Sequence, residues 1–376
     1  MSETTITAYR YRLYPTKAQE TALTQTLEVC RQVYNSLLNW REHDYAVLGK
    51  SPSKFDQQAA FPAWKKDHAE LSGVFSQVLQ NVAVRVDLAY KGFFRRVKDG
   101  ETPGFPRVKG KGQYDSITYP QSGFGFHQGK LRLSKIGDVC IRQHRPIDGA
   151  ITPITLKTCT IRRVNNKWFV CFSAETASQF LPPSSEEVGI DVGLKTFAFL
   201  SNGDVVENPR FFRKDEKALA KAQRKLSKQK RGSRERKKAR KVVSRIHERV
   251  RNRRHDFVHQ TARRLVNRFG VIAVEKLNVK GMVKNHCLAK SISDASWSMF
   301  RSVLVQKAES AVNRTVVEVN PRYTSQMCSK CGNIQKKSLS VRWHECQKCG
   351  LSLDRDMNAA VNIMALGQQS LPALTG

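Results

Sequence analysis

The sequence predicts a multidomain chain of α/β plus β class: a small β-barrel interrupted by a helical pair, then an α/β unit with a basic helical hairpin and a zinc ribbon. Three observations predict it. Two Cys-x-x-Cys pairs, Cys328/Cys331 and Cys346/Cys349, have fourteen residues between them. Two apolar strand-like runs each carry one acid, Asp191 in VGIDVGL and Glu275 in VIAVEKL. Between those runs, residues 211–254 hold 20 Lys and Arg against 4 Asp and Glu.

With 376 residues the chain has room for two or three domains. Its 65 basic and 32 acidic side chains leave a formal charge of +33, with a pI near 10.1, a surplus that suits a polyanionic partner. The sequence carries no long apolar run, signal peptide or lipidation signal, so no membrane partner is expected. Beyond the four paired cysteines, Cys30, Cys140, Cys159, Cys171 and Cys287 follow no pattern. Such a remainder reads as reduced thiols in a cytosol, and a cytoplasmic protein is expected.

Residues 5–14 alternate and are rich in aromatic and branched side chains, the signature of a strand that Pro15 ends. Thr16 and Gln19 form a capping box ahead of a helix with Leu23, Leu27, Cys30, Tyr34 and Leu37 on one face. A second helix is expected over about 75–98, with Val78, Val82, Val86, Ala89 and Phe93 inward, after a polar link from Gly49 to Trp64. From Gly100 the chain mixes glycine and proline with Arg107, Lys109, Lys111, Phe105, Tyr114 and Tyr119. Short alternating runs at 131–133, 139–141, 154–163 and 168–172, the last two joined at Asn165-Asn166, predict the barrel, into which the helical pair is inserted.

Pro182-Pro183-Ser184-Ser185 marks a boundary. An aspartate between Ile190 and Val192 is costly in a buried strand unless it is paired or binds a cation; a salt bridge to Lys195 is the default account. In the basic stretch Val242, Ile246, Val250, Phe257, Thr261, Leu265 and Phe269 keep helical period, with a break at Gly232-Ser233 and a stop at Gly270. This predicts a packed hairpin whose second arm, at 1.5 Å per residue, is roughly 50 Å long and basic outside. A helix opened by Asp294, with Trp297, Phe300, Leu304 and Ala308 inward, and a strand at 315–319 lead to the ribbon.

Four thiolates, two from each glycine-closed knuckle, suit a structural zinc with no open position. After Gly350, Asp354 is placed to cap an apolar helix that Gly367 stops, and Asp356 falls in its first turn. Asp191, Glu275 and Asp356 are 84 and 81 residues apart, in the order strand, strand, helix start. Three carboxylates meeting at a sheet edge can hold two divalent ions about 4 Å apart for phosphodiester hydrolysis. Oxygen ligands favour Mg2+ or Mn2+ there.

The blocks YRLYPTKAQ with VYN, GFPRVKGK, GIDVGLK, VEKLNVKGM, SISDASW and CSKCG…CQKCG…DRDMNAAVNI closely resemble the TnpB family of transposon-encoded proteins. The resemblance covers nearly the whole chain. It implies a RuvC-like nuclease of RNase H fold with a zinc-ribbon insertion, preceded by a wedge β-barrel that a helical recognition domain interrupts. Projected onto this chain, the first barrel strand is 1–15, the helical domain 16–100 and the rest of the barrel 101–183. The nuclease is 184–327 with its hairpin at 211–269, the ribbon 328–350, and the nuclease end and tail 351–376.

The implied activity is Mg2+-dependent, RNA-guided endonuclease cleavage of double-stranded DNA beside a short motif read as duplex. The guide RNA would derive from the transposon end, and the protein would act as a monomer in that complex, in a bacterium or archaeon. The implied catalytic acids are Asp191, Glu275 and Asp356, with Asp354 the fallback for the third. Nucleic-acid contacts are expected at Gln80 and Tyr119 for the motif, at Arg107, Lys109 and Lys111, and at Arg224, Lys228, Arg231, Lys237 and Arg240 on the hairpin. The alternatives are a nuclease-inactive guided repressor and an accessory protein of DNA transposition.

Overall fold

The computed structural model describes residues 4–127, 129–144, 155–177, 180–338 and 341–371. Contacts divide the chain into two compact units, Ser2–Ala177 and Ser178–Gly376. The break precedes Pro182 because Leu181 and Pro182 belong to the second unit, their carbonyls accepting from Asn313 Nδ2 and from Arg314.

In the first unit, strand β1 (Thr4–Tyr14) leads through Thr16 into α1 (Lys17–Leu48). The capping box forms, with Thr16 Oγ1 accepting from Gln19 N and Gln19 Oε1 from Thr16 N. The expected polar link from Gly49 to Trp64 instead contains α2 (Lys54–Ala59) and the start of α3 (Phe61–Asp67), and α4 (Ala69–Ser72) follows before the second long helix. These helices form because Ser53 caps one of them and because Phe61 and Leu71 have an apolar face to join. Then come α5 (Ser76–Lys98), β2 (Ser116–Tyr119), β3 (Phe124–His127), β4 (Lys130–Leu133), β5 (Gly137–Arg142), β6 (Thr155–Val164) and β7 (Lys167–Ala177).

The strands form one antiparallel sheet in the order β2-β6-β7-β1-β5-β4-β3. β1 lies within it, so α1 to α5 are an insertion between a central strand and an edge. Asn165 and Asn166, both at positive φ, turn β6 into β7. One core takes Leu23, Leu27, Cys30 and Val82 from the helices together with Tyr11, Ile161, Val170 and Phe172 from the sheet. Ile154, the expected start of β6, lies outside the described residues.

The second unit begins with β8 (Glu187–Val192), β9 (Thr196–Leu200) and β10 (Val205–Glu207), followed by α6 (Phe211–Ser227) and α7 (Arg234–Arg268). β11 (Val271–Glu275), α8 (Val279–Met282), α9 (His286–Ala295), α10 (Trp297–Glu309) and β12 (Thr315–Val319) come next, then β13 (Trp343–Glu345), β14 (Ser352–Asp354) and α11 (Arg355–Ser370). The five-stranded sheet runs β10-β9-β8-β11-β12, with β8, β11 and β12 parallel. No helix among the described residues is long and apolar enough to cross a membrane.

Three sequence expectations change here. Val242 is 47% exposed, since the hairpin contact is made by Leu219, Ala239, Ile246 and Val250. Asp294 does not open a helix: it sits buried near the end of α9, where its carboxylate accepts from Phe212 N at 2.9 Å and from Arg254 Nη2 at 2.8 Å. It thereby caps α6, whose own N-cap Arg210 makes no side-chain cap. Gly367 lies inside α11, where a Cβ would come within 2.5 Å of Ala273 Cβ on β11. Gly189 on β8 is a second close approach, a Cβ there falling 2.1 Å from Ala360 O. The two glycines let α11 lie directly on the parallel strands.

Candidate active site

Parallel pairing matches Ile190 with Val274, so the next positions, Asp191 and Glu275, stand side by side near the carboxyl ends of adjacent strands. This is where an open α/β sheet offers a crevice. The close seat of α11 on β8 brings a third carboxylate, Asp356 in its first turn, into the same electrostatic neighbourhood.

Burial, then the charges of Glu275 and Asp356, push the Asp191 carboxyl well above the usual carboxylate range; Arg355 opposes them and Asp354 adds to them. Glu275 is also pushed up by burial, against the hydrogen bond that Thr324 Oγ1 donates to its Oε1 at 2.6 Å. Lys195, the default partner, is exposed, and among the described residues no ion pair joins it to Asp191. The two candidates for the third acid behave differently. Asp354 Oδ1 caps α11 by accepting from Asp356 N at 2.8 Å and Met357 N at 3.3 Å. Asp356 Oδ1 accepts from Arg355 Nη2 at 3.0 Å, and its Oδ2 is 3.6 Å from Arg342.

A set of half-buried carboxylates whose charges raise the Asp191 carboxyl fits hard divalent cations. The carboxylates are more widely spaced than the sulfurs: among the described residues, only the four cysteines bring three or more such ligand atoms all within 4.8 Å of one another. Cys328 and Cys349 Sγ are 3.6 Å apart, and Cys331 and Cys346 Sγ 3.5 Å. A zinc tetrahedron with bonds of about 2.3 Å has edges of about 3.8 Å, so the cage fits that ion. Each knuckle closes alike, with Gly332 N donating to Cys328 O and Gly350 N to Cys346 O, both at 2.9 Å, and both glycines at positive φ.

The ribbon touches the acid site through groups the sequence reading missed. Asn358, fully buried on α11, accepts from Ser329 N at 2.9 Å and donates to Met327 O at 2.7 Å. Asn362, one turn on, donates to Thr324 O at 2.8 Å and to Met327 O at 2.7 Å. Thr324 in turn holds Glu275. The asparagine pair at i,i+4 inside an otherwise apolar helix was a readable signal; Thr324, Arg342 and Arg355 gave none.

Of the expected nucleic-acid contacts, Gln80, Arg107 and Lys111 are exposed in the first unit. Lys109 is half-buried, its backbone tied to Asn35 and its ammonium 5.6 Å from the Tyr34 ring centroid. Arg224, Lys228, Arg231, Lys237 and Arg240 all lie exposed on the hairpin. Tyr119 is a correction: only 1% exposed, it stacks on Phe75 and donates to Ser134 O at 3.1 Å, so it serves the core and cannot face a duplex.

Family profiles match three stretches: one described as a probable transposase over residues 170–286, one as the TNB domain of Cas12f1-like proteins over 297–363, and one as a helix-turn-helix domain over 1–50. The described residues of that last stretch hold β1 and one unbroken α1. A protein of Streptomyces pristinaespiralis named as a candidate RNA-guided DNA endonuclease is 36% identical over 366 residues, covering 96% of this chain and 89% of its own. InsQ of Escherichia coli K12, named in the same way, is 31% identical over 386 residues, covering 97% and 93%. A solved Cas12f1-sgRNA-target DNA complex shares the fold with a TM-score of 0.59 at 14% identity, over 96% of this chain and 99% of that one.

Proposed function

The chain belongs to the TnpB family, and from that premise we propose that it is a transposon-encoded, RNA-guided DNA endonuclease that hydrolyses target phosphodiesters. The observation that carries the reading is the half-buried cluster of Asp191, Glu275 and Asp356 at the carboxyl end of a mixed sheet. Three strands in antiparallel succession followed by two parallel ones, with acids on β8, β11 and α11, fit a RuvC-type nuclease of RNase H fold.

Asp191, Glu275 and Asp356 would hold two Mg2+ or Mn2+ ions, which when bound supply water activation and charge neutralisation at the leaving 3′ oxygen. The protein's own groups prepare that site. The Thr324 hydroxyl fixes the Glu275 rotamer, and the Arg355 and Arg342 guanidinium groups hold Asp356 near the strands until a cation competes for it. Asp356 is preferred to Asp354, whose Oδ1 is engaged in capping. Cys328, Cys331, Cys346 and Cys349 would hold structural zinc and so stiffen the segment that anchors α11.

Guide RNA would read the target by pairing, leaving the protein to grip backbone phosphates. The exposed cations of α6 and α7 suit that task, as do Arg107 and Lys111, while Gln80 stays a candidate for reading the flanking duplex. The test is cleavage by protein purified with its co-expressed RNA, given Mg2+ and a target with randomised flanks. Asp191→Ala should abolish cutting with target binding retained; a variant that still cuts would overturn the site, and a wild-type complex that binds but never cuts would favour the repressor.

A further inference from the structure

One surface of the first unit takes no part in the cleavage chemistry. At the carboxyl end of α5 and in the segment after it, four rings gather. Tyr90 and Phe94, one turn apart, have centroids 6.4 Å apart and planes inclined by 29°. Phe105 stands edge-on to Tyr90 at 5.8 Å and to Phe93 at 5.2 Å. Phe94 is 61% exposed, Val97 51% and Phe105 50%. Cations border the rings: over residues 95–111 the chain has six Lys and Arg against two acids, while Arg41, 5.3 Å over Tyr90, is buried and paired with Asp87.

The segment is held in place. Arg96 Nη2 donates to Gly104 O at 2.9 Å and Glu101 N to Arg96 O at 2.9 Å, while Arg31 and Asn35 bond the Lys109 carbonyl. Flat apolar faces beside positive charges, already ordered, match an unpaired base with its flanking phosphates. They match a purely apolar partner less well, because such a partner would have to desolvate the cations. A cluster this exposed also needs lasting cover. An RNA bound throughout the protein's working life can give that cover, whereas target DNA comes and goes.

We propose that Phe94 and Phe105 form a stacking platform for an unpaired base of the bound RNA, with Arg95, Lys98 and Arg107 on its flanking phosphates. The proposal rests on the RNA-guided reading above. It is tested on the complex purified with its RNA, by ultraviolet crosslinking with peptide mapping and by RNA binding over a salt series. Phe94→Leu/Phe105→Leu keeps the apolar surface and removes the flat faces; both sites are exposed, so an unchanged melting temperature should accompany it. Loss of stacking should weaken RNA binding about 5- to 150-fold with the salt slope unchanged, and Phe94→Trp should retain binding. Arg95→Ala/Arg107→Ala should flatten the slope instead. Full RNA affinity in the leucine variant would overturn the platform, as would crosslinks at these rings that appear only with target DNA, or a changed subunit count as the variant's sole effect. A wild-type protein that carries no RNA at all would instead refute the guided reading beneath it.

Discussion

Thr324 donates its hydroxyl to Glu275 at 2.6 Å while its carbonyl accepts from the Asn362 amide at 2.8 Å, so one residue joins an acid of β11 to the body of α11. A hydrogen bond to a charged group contributes about 1.5–3 kcal/mol. Thr324→Val is therefore expected to slow cleavage by about tenfold or more and to raise the Mg2+ requirement, with RNA binding unchanged. Thr324→Ser should restore both. Equal rates for valine and wild type across a Mg2+ titration would show that Glu275 needs no such support.

The raised carboxyls give the metal-free protein a distinctive pH profile. Asp191 is raised by burial and by Glu275 and Asp356, and Glu275 by burial, so both bind protons more tightly folded than unfolded. Their stabilising contribution is complete below about pH 4, where the unfolded groups titrate, and is lost as pH rises through the higher folded values. Asp191→Asn should thus melt above wild type at pH 8 without metal, with the gap closing toward pH 4. Mg2+ should stabilise wild type and not the variant. A variant that melts below wild type at pH 8 would contradict the repulsion.

Asp294 ties three helices together by capping α6 from α9 and holding Arg254 of α7. Breaking a buried ion pair costs about 3–5 kcal/mol. Asp294→Ala should lower thermal stability by about that much and loosen the basic hairpin, weakening RNA binding in a salt-dependent way. Hydrogen exchange at Phe212 and Arg213 reports the cap directly; unchanged protection there would rule it out.

The ribbon's link to the acids runs through Asn358 and Asn362, not through the cysteines themselves. Cys346→Ser, or chelation of the wild type, should release zinc and cut cleavage at least about tenfold while RNA stays bound. Asn358→Ala, which leaves Ser329 N–H without its acceptor and Met327 C=O with the Asn362 amide alone, should do the same with zinc still present. Full cleavage by zinc-free protein would separate the two sites.

Much of this was readable from residues. Alternating and apolar runs gave β1, β8, β11 and β12, and the Thr16 box and Asp354 cap gave two helix starts, because those signals are local. What failed was tertiary. Gly367 reads as a stop unless Ala273 is known to press against it, and Asp294 reads as a cap for its own helix although its partner amide is 82 residues away. Tyr119 is expected at the flanking duplex from the family resemblance, and its burial against Phe75 is a tertiary contact that no local signal announces. The link before α5 carries weak periodicity, and its helices form only where Phe61 and Leu71 find the core.

Manganese EPR of the RNA complex tests the central claim most directly, since two ions held a few ångströms apart are magnetically coupled. The account predicts a coupled pair in the wild type that is lost in each of Asp191→Asn, Glu275→Gln and Asp356→Asn while RNA remains bound. A coupled pair that survives in any one of the three would show that its carboxylate does not share the cations.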